Sequence, residues 1–187
     1  MGTDSVHLIL ASASPRRKDL LTQAGVSFRV EVAQVEERED ETGDPAAMVC
    51  HNAELKAAEV AGRFPGEWVL GADTTVALGD RILGKPSHEE EAFAMLRLLA
   101  GKTHHVHTGV CLIRPDGSRD IFAESTSVTF RELPDVEIRR YLRDVPVLDK
   151  AGAYALQDQG ERIVEQVEGS RSNVIGLPVE AVVQRIG

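Results

Sequence analysis

Cysteine is scarce: 187 residues hold only Cys50 and Cys111. The two lack metal-site spacing and offer no disulfide framework, which excludes a cystine-stapled scaffold and a cysteine-ligated zinc module. A reducing cytoplasmic setting is therefore expected. Long apolar runs are also missing; none approaches the ~18 residues that suggest a membrane span. The short N-terminal apolar patch has no basic leader, so no signal peptide is expected. Met1-Gly2-Thr3-Asp4-Ser5-Val6 misses the myristoylation pattern, because Val6 stands where Ser or Thr is needed. Positive charge is the third shortage, with 21 Lys and Arg against 30 Asp and Glu and a net charge of −9. That balance argues against stable binding to duplex nucleic acid, which needs a basic surface. It leaves room for a small polyanion in a cleft where cations cluster. Neither a P-loop nor a dinucleotide Gly-x-Gly-x-x-Gly fingerprint is present. With no internal repeat, low-complexity tract or linker, residues 1–187 are expected to form a single domain.

Cations do cluster at one place. Val6 to Leu10 reads as a buried strand, Ser14 as an N-cap and Pro15 as the first helical residue. Leu20, Leu21 and Ala24 continue the helical spacing, and Gly25 is a stop. The first turn of a helix favours acids, because its free N–H groups carry partial positive charge. Here it holds Arg16, Arg17 and Lys18, which costs roughly 0.3–1 kcal/mol each if nothing answers them. Backbone N–H groups, the hydroxyls of Ser12 and Ser14, and two guanidiniums would make a phosphate cradle. A solvated basic helix start is the simpler alternative.

The remaining elements alternate between helix and strand early and form hairpins later. A strand is predicted over Ser27–Ala33, an acidic loop over Gln34–Asp44, and a helix over Pro45–Phe64. Strands follow at Trp68–Leu78 and Arg81–Leu83. Ser87-His88-Glu89-Glu90 reads as a capping box opening a helix through Ala100. Long strands at Thr103–Arg114 and Ser118–Arg131 join at Pro115-Asp116-Gly117. A helix from about Pro134 to Arg143, short strands near Ala153–Gln157 and Arg162–Val167, and a helix after Pro178 complete the chain. The class is α/β, a mixed twisted sheet flanked by helices.

Asp73 interrupts an apolar strand, where an unpaired carboxylate would be expensive. It is a candidate for binding metal or taking a proton from water, or else a structural Asp paired with a lysine. Gly71, two residues earlier, permits close backbone approach. Lys85, in Gly84-Lys85-Pro86, can return towards Asp73 if the two strands pair. Glu36 and Glu37 lie in a charge run of the kind that is usually solvated, and Lys56 lies on a helix where exposure is the default. Of the strand histidines, His105 and His107 fall on one face and His104 on the other, so no metal set is expected there. Gln157 has the donors and acceptors to read a base edge, and Tyr154 can stack or hydrogen-bond. Ser170, Ser172 and Asn173 suit either phosphate contacts or a structural turn.

Together these segments resemble the Maf family of nucleoside triphosphate pyrophosphatases, also called septum formation inhibitor Maf-like proteins. The match runs nearly end to end: Ser12-Ala-Ser-Pro-Arg-Arg17, Val35-Glu-Glu37, Lys56-Ala, Gly71-Ala-Asp-Thr74, Gly84-Lys-Pro86, the Thr103–Gly109 segment, Asp149-Lys-Ala-Gly-Ala-Tyr154, Gln157, and Gly169-Ser170 through Gly176-Leu-Pro178. The resemblance implies an elongated, two-lobed Maf/ITPase-like fold with a central cleft, a divalent cation (Mg or Mn) and a homodimer. It implies hydrolysis between the α and β phosphates, giving a nucleoside monophosphate and pyrophosphate, with nucleotide-pool cleansing as the purpose. Ser12, Ser14, Arg16 and Arg17 then take the triphosphate. Glu37, Lys56, Asp73 and Lys85 form the charged centre, with Asp73 activating water and Glu37 and Asp73 the metal-associated carboxylates; those two roles are exchangeable at this level.

Asp149-Lys-Ala-Gly-Ala-Tyr-Ala-Leu-Gln157 looks like the branch acting on dTTP and UTP. Gln157, Lys150 and Tyr154 then select the pyrimidine. Arg171 departs from the aromatic residue expected after Gly169-Ser170. His51-Asn52-Ala53-Glu54 departs from the basic version often present before the helix lysine. A purine or 7-methyl-GTP preference, and a non-catalytic nucleotide-binding regulator of septation, are the competing readings.

Overall fold

Leu8, Ile9 and Leu10 are buried on both faces, as suits a strand that lies inside a sheet and not at its edge. The computed structural model describes residues 7–187; Val6 and the Met1–Val6 pattern lie outside them. Strand β1 (Leu8–Leu10) pairs in parallel with β2 (Phe28–Val30) and β3 (Trp68–Leu78). β3 pairs antiparallel with β4 (Arg81–Leu83) and with β5 (Thr103–Ile113). β5 pairs with β6 (Arg119–Phe130), and β6 with β7 (Val164–Glu168). The result is a mixed seven-stranded sheet in the order β2-β1-β3-β5-β6-β7, with β4 beside β3.

Alternation along the strands divides the core. Leu8, Leu10, Leu70 and Leu112 face helices α1 (Pro15–Gln23) and α6 (Val179–Ile186). Ile9, Val69 and Cys111 face α2 (Pro45–Arg63), which contributes Ala53, Ala57 and Val60. The far ends of β3, β5 and β6 enter a third cluster with α3 (Glu89–Leu99) and α4 (Asp135–Asp144), built on Val76, Leu96, Phe130 and Tyr141. Long strands thus run through two lobes with separate cores.

Four local readings need correction. The strand expected over Ser27–Ala33 is only three residues long, because its partner β1 ends at Leu10 and turns away. The helix expected to open on Ser87 is capped by His88, whose Nδ1 accepts from Glu91 N, while Glu91 reaches back to Ser87. Ala153–Gln157 is not a strand. Residues Ala151–Ala153 form a 3-10 turn with positive φ at Gly152 (70°) and Ala153 (61°). The Tyr141 hydroxyl then takes the Ala155 N–H and donates to its carbonyl, occupying the groups a neighbouring strand would use. A short helix, α5 (Arg171–Ile175), capped by Ser170, stands where sequence showed a glycine-rich loop.

Candidate active site

Two glycines bring α2 close to the sheet. A Cβ on Gly71 would run into Ala53 O and Ala57, and one on Gly109 into the backbone of Val49 and Cys50. Asp73 lies two residues beyond Gly71 on the same strand face and pairs in register with Gly109. α2 therefore carries Asn52 and Lys56, one turn apart, directly onto Asp73.

Lys56 joins two carboxylates. Its Nζ lies 3.1 Å from Asp73 Oδ1 and 2.7 Å from Glu37 Oε2, and it donates to Ala72 O at 3.3 Å. Asn52 Nδ2 donates to the other Asp73 oxygen at 2.9 Å. Burial pushes the Asp73 carboxyl up, but Lys56, the Asn52 hydrogen bond and Arg17 outweigh it and hold the group below the usual carboxylate range. Glu37 comes from the acidic loop, which is tied down where Ile82 N donates to Glu41 O and Thr42 bridges Arg81. Glu36 is exposed and lines neither of the two clefts at this centre.

The basic helix start forms the adjoining wall. Ser14 occupies the N-cap position of α1 without a side-chain capping bond; its N–H donates instead to Ser12 Oγ at 3.2 Å. Arg17 is buried, donating from Nε to Gly176 O (2.8 Å), from Nη1 to Ser12 Oγ (3.2 Å) and from Nη2 to Thr74 Oγ1 (3.1 Å). All three partners are neutral, and Arg17 forms no ion pair among the described residues. Burial pushes its pKa down, against the pull of Asp73. Arg16, by contrast, is bonded to Asp149. The first-turn N–H groups of Arg16 and Arg17 have no intrahelical acceptor.

These pieces line one cleft of about 360 Å³, together with Lys85, Lys150, Tyr154 and Gln157. Lys85 is exposed and makes no ion pair among the described residues. Gln157 is exposed on the cleft wall. Lys150 is buried, its Nζ donating to Pro146 O (2.6 Å) and Asp149 Oδ1 (2.8 Å). Tyr154 is mostly a core residue: its ring packs edge-on against Phe130 and His104, and its hydroxyl meets His104 Nε2 at 2.9 Å. A second cleft of about 450 Å³ shares Glu37, Asp73, Thr74, Lys85 and Ala151 with the first. The charged centre is the partition between the two.

Among the described residues no three His, Cys, Asp or Glu side chains gather into a metal cage, the strand histidines included. Asp73 and Glu37 nevertheless converge on one cation, Lys56. Magnesium is commonly held by one or two carboxylates plus substrate phosphates, so this donor pair fits a cation that arrives with a nucleotide. Ser170, Ser172 and Asn173 are used structurally: Ser172 Oγ accepts from Val179 N, and Asn173 Nδ2 donates to Val106 O and Thr126 Oγ1.

Sequence reasoning missed Asn52 and Thr74. The helical spacing of Asn52 and Lys56 was a usable signal. Thr74, within the Gly71-Ala-Asp-Thr74 segment, was given no role of its own; its hydroxyl lies 2.8 Å from Thr108 Oγ1 and accepts from Arg17.

Curated relatives span nearly the whole chain. A protein of Akkermansia muciniphila named dTTP/UTP pyrophosphatase is 48% identical over 95% of this chain and 93% of its own length. Another of that name from Myxococcus xanthus is 47% identical over 100% and 96%. One from Deinococcus radiodurans is 46% identical over 95% and 90%. Among solved structures, a HAM1 protein from Coxiella burnetii aligns with a TM-score of 0.53 at 16% identity, covering 97% of this chain and 98% of that one. The Staphylococcus aureus Ham1 protein gives 0.50 at 17%, covering 97% and 100%. The mixed-sheet architecture is therefore shared well beyond recognisable sequence. The family model described as Maf-like protein matches residues 7–187, and the chain belongs to the Maf family.

Proposed function

We propose that this protein hydrolyses dTTP and UTP between the α and β phosphates, releasing dTMP or UMP and pyrophosphate. The observation that carries this reading is the single cleft in which an anion cradle adjoins a lysine-bridged pair of carboxylates. Support for the substrates comes from relatives at 45–48% identity named dTTP/UTP pyrophosphatase.

Arg17 supplies a desolvated positive charge with only neutral partners, so its field is left for phosphate oxygens. Ser12, Ser14, the free N–H groups of α1 and Arg16 complete that cradle, and Lys85 lines the same cleft. Asp73 stays ionised at neutral pH and orients a water for attack on the α phosphorus. The water proton passes to Asp73, the bond to the bridging oxygen breaks, and its electron pair leaves on pyrophosphate. A carboxylate with a depressed pKa is a weak base, so the drive comes chiefly from cations on the departing phosphates; base assistance supplies ~10²–10⁴-fold. A divalent cation, Mg or Mn, held by Glu37 and Asp73 would screen phosphate charge when bound. Gln157 addresses the pyrimidine edge, with Lys150 and Tyr154 shaping that end.

Purified protein is incubated with dTTP, UTP, CTP, GTP and 7-methyl-GTP, with and without Mg²⁺ or Mn²⁺, and the products are separated chromatographically. Metal-dependent dTMP or UMP plus pyrophosphate is expected. Turnover of 7-methyl-GTP alone would overturn the substrate, and nucleotide binding without turnover on the whole panel would overturn the reaction.

A further inference from the structure

Asn52 is a buried amide that makes three of its four possible hydrogen bonds, and they reach two separate segments. Its Oδ1 accepts from Arg38 N at 2.8 Å. Its Nδ2 donates to Arg38 O at 2.9 Å and to Asp73 Oδ2 at 2.9 Å. The pair of bonds to Arg38 imitates a short strand pairing and pins the backbone of the residue next to Glu37. The third bond engages the Asp73 oxygen that Lys56 does not. One side chain on rigid α2 therefore sets both a loop carboxylate and a strand carboxylate.

We propose that Asn52 is a positioning residue that fixes the spacing of Glu37 and Asp73 across the charged centre. The loop needs such a tether because its other backbone ties lie to either side of Glu37: Gln34 N donates to Glu59 Oε2 at 3.3 Å before it, and two more follow. Ile82 holds Glu41, and Asp40 N donates to Met48 Sδ at 3.3 Å, a weak acceptor. Lys56 alone cannot set the spacing, because an ammonium on a four-carbon stem is a point charge without directional preference. The planar amide imposes direction on both partners. The role rests on the proposed hydrolysis, since it assigns Asn52 to the placement of groups used there.

The test uses Asn52→Leu, which keeps helix propensity and approximate volume while removing all three bonds. Amide hydrogen exchange of the free protein reads the clamp without reference to activity. Faster exchange at Arg38 in the variant is expected, and unchanged protection would overturn the clamp. Kinetics on dTTP read its use: kcat falls roughly 10–100-fold, the usual cost of losing an outer hydrogen-bond partner of a metal-associated site, while KM changes little. In a double-mutant cycle with Glu37→Gln the two losses are strongly non-additive, whereas a merely structural Asn52 would give additive effects. Additivity, or wild-type kcat in Asn52→Leu, would overturn the positioning role. A wild type that releases no pyrophosphate would overturn the functional reading and this role with it, leaving the clamp to the exchange result.

Discussion

Arg16 reaches Asp149, 133 residues away, with Nη1 2.8 Å from the carboxylate and Nη2 3.3 Å from the carbonyl oxygen. Burial pushes the Asp149 carboxyl up, but hydrogen bonds from Lys150 and Arg16 hold it at about 2. A carboxylate thus stands on a cation that the proposed function assigns to phosphate. Asp149→Asn is expected to lower KM for dTTP by up to about fivefold, since exposed ion pairs are worth roughly 0.2–1 kcal/mol. Steady-state kinetics decide it, and a higher KM would make Asp149 a helper of binding instead of a competitor.

Removing either partner at the charged centre has different consequences. Asp73→Asn preserves shape and deletes the proton acceptor, so kcat should fall by ~10²-fold or more with the melting temperature near that of wild type. Near-normal turnover would remove Asp73 from the mechanism. Lys56→Met leaves a largely buried carboxylate without its cation, a loss expected to cost about 3–5 kcal/mol in a denaturant titration.

Gly71→Ala pushes against α2 backbone, which cannot yield as a flexible side chain would. Overpacking of this kind costs about 1–3 kcal/mol, and turnover should fall as well, because α2 carries Lys56. Gly62→Ala on the same helix meets open space and should be neutral or stabilising by up to about 1 kcal/mol. Thermal melts and initial rates of the two variants check the contrast.

His104 gives a pH signature. Its ring is fully buried, Nδ1 has no partner, and burial followed by the nearby His105 holds its pKa at about 4. The unfolded chain, near the ordinary value of about 6.5, binds this proton first. Stability is therefore whole above about pH 6.5, falls as pH drops towards 4, and levels off below; one such group contributes about 3 kcal/mol. Urea titrations of His104→Phe should show a shallower decline across that window. An unchanged slope would assign the acid sensitivity elsewhere.

Local patterns in the chain were enough to place the basic helix start and the unusual strand carboxylate. Ser14-Pro15 marked the beginning of α1, and the apolar run around Asp73 marked a strand with a reason to hold charge. The loads on those residues were not legible. Arg17 is read locally as a free phosphate ligand, yet its guanidinium is bonded to Thr74 and Gly176, 57 and 159 positions away. Lys56 looks exposed on helical spacing alone, and only the glycine-permitted approach of α2 to β3 and β5 buries it. The strand reading at Ala153–Gln157 failed for the same reason, since Tyr141 supplies from another element the bonds that periodicity credits to a sheet.

The bond from Arg17 to Gly176 also gives the site a birth date. During synthesis the first helix emerges early, yet its buried cation has no carbonyl to meet until almost the whole chain has been made. Leaving one N–H of a buried guanidinium unpaired is costly, and contacts of such long sequence separation are slow to form. A chain that stops short of Gly176 thus lacks one of the three bonds that seat Arg17 near the opposite terminus. On the proposed function, nucleotide capture is expected only once the chain has been made through Gly176.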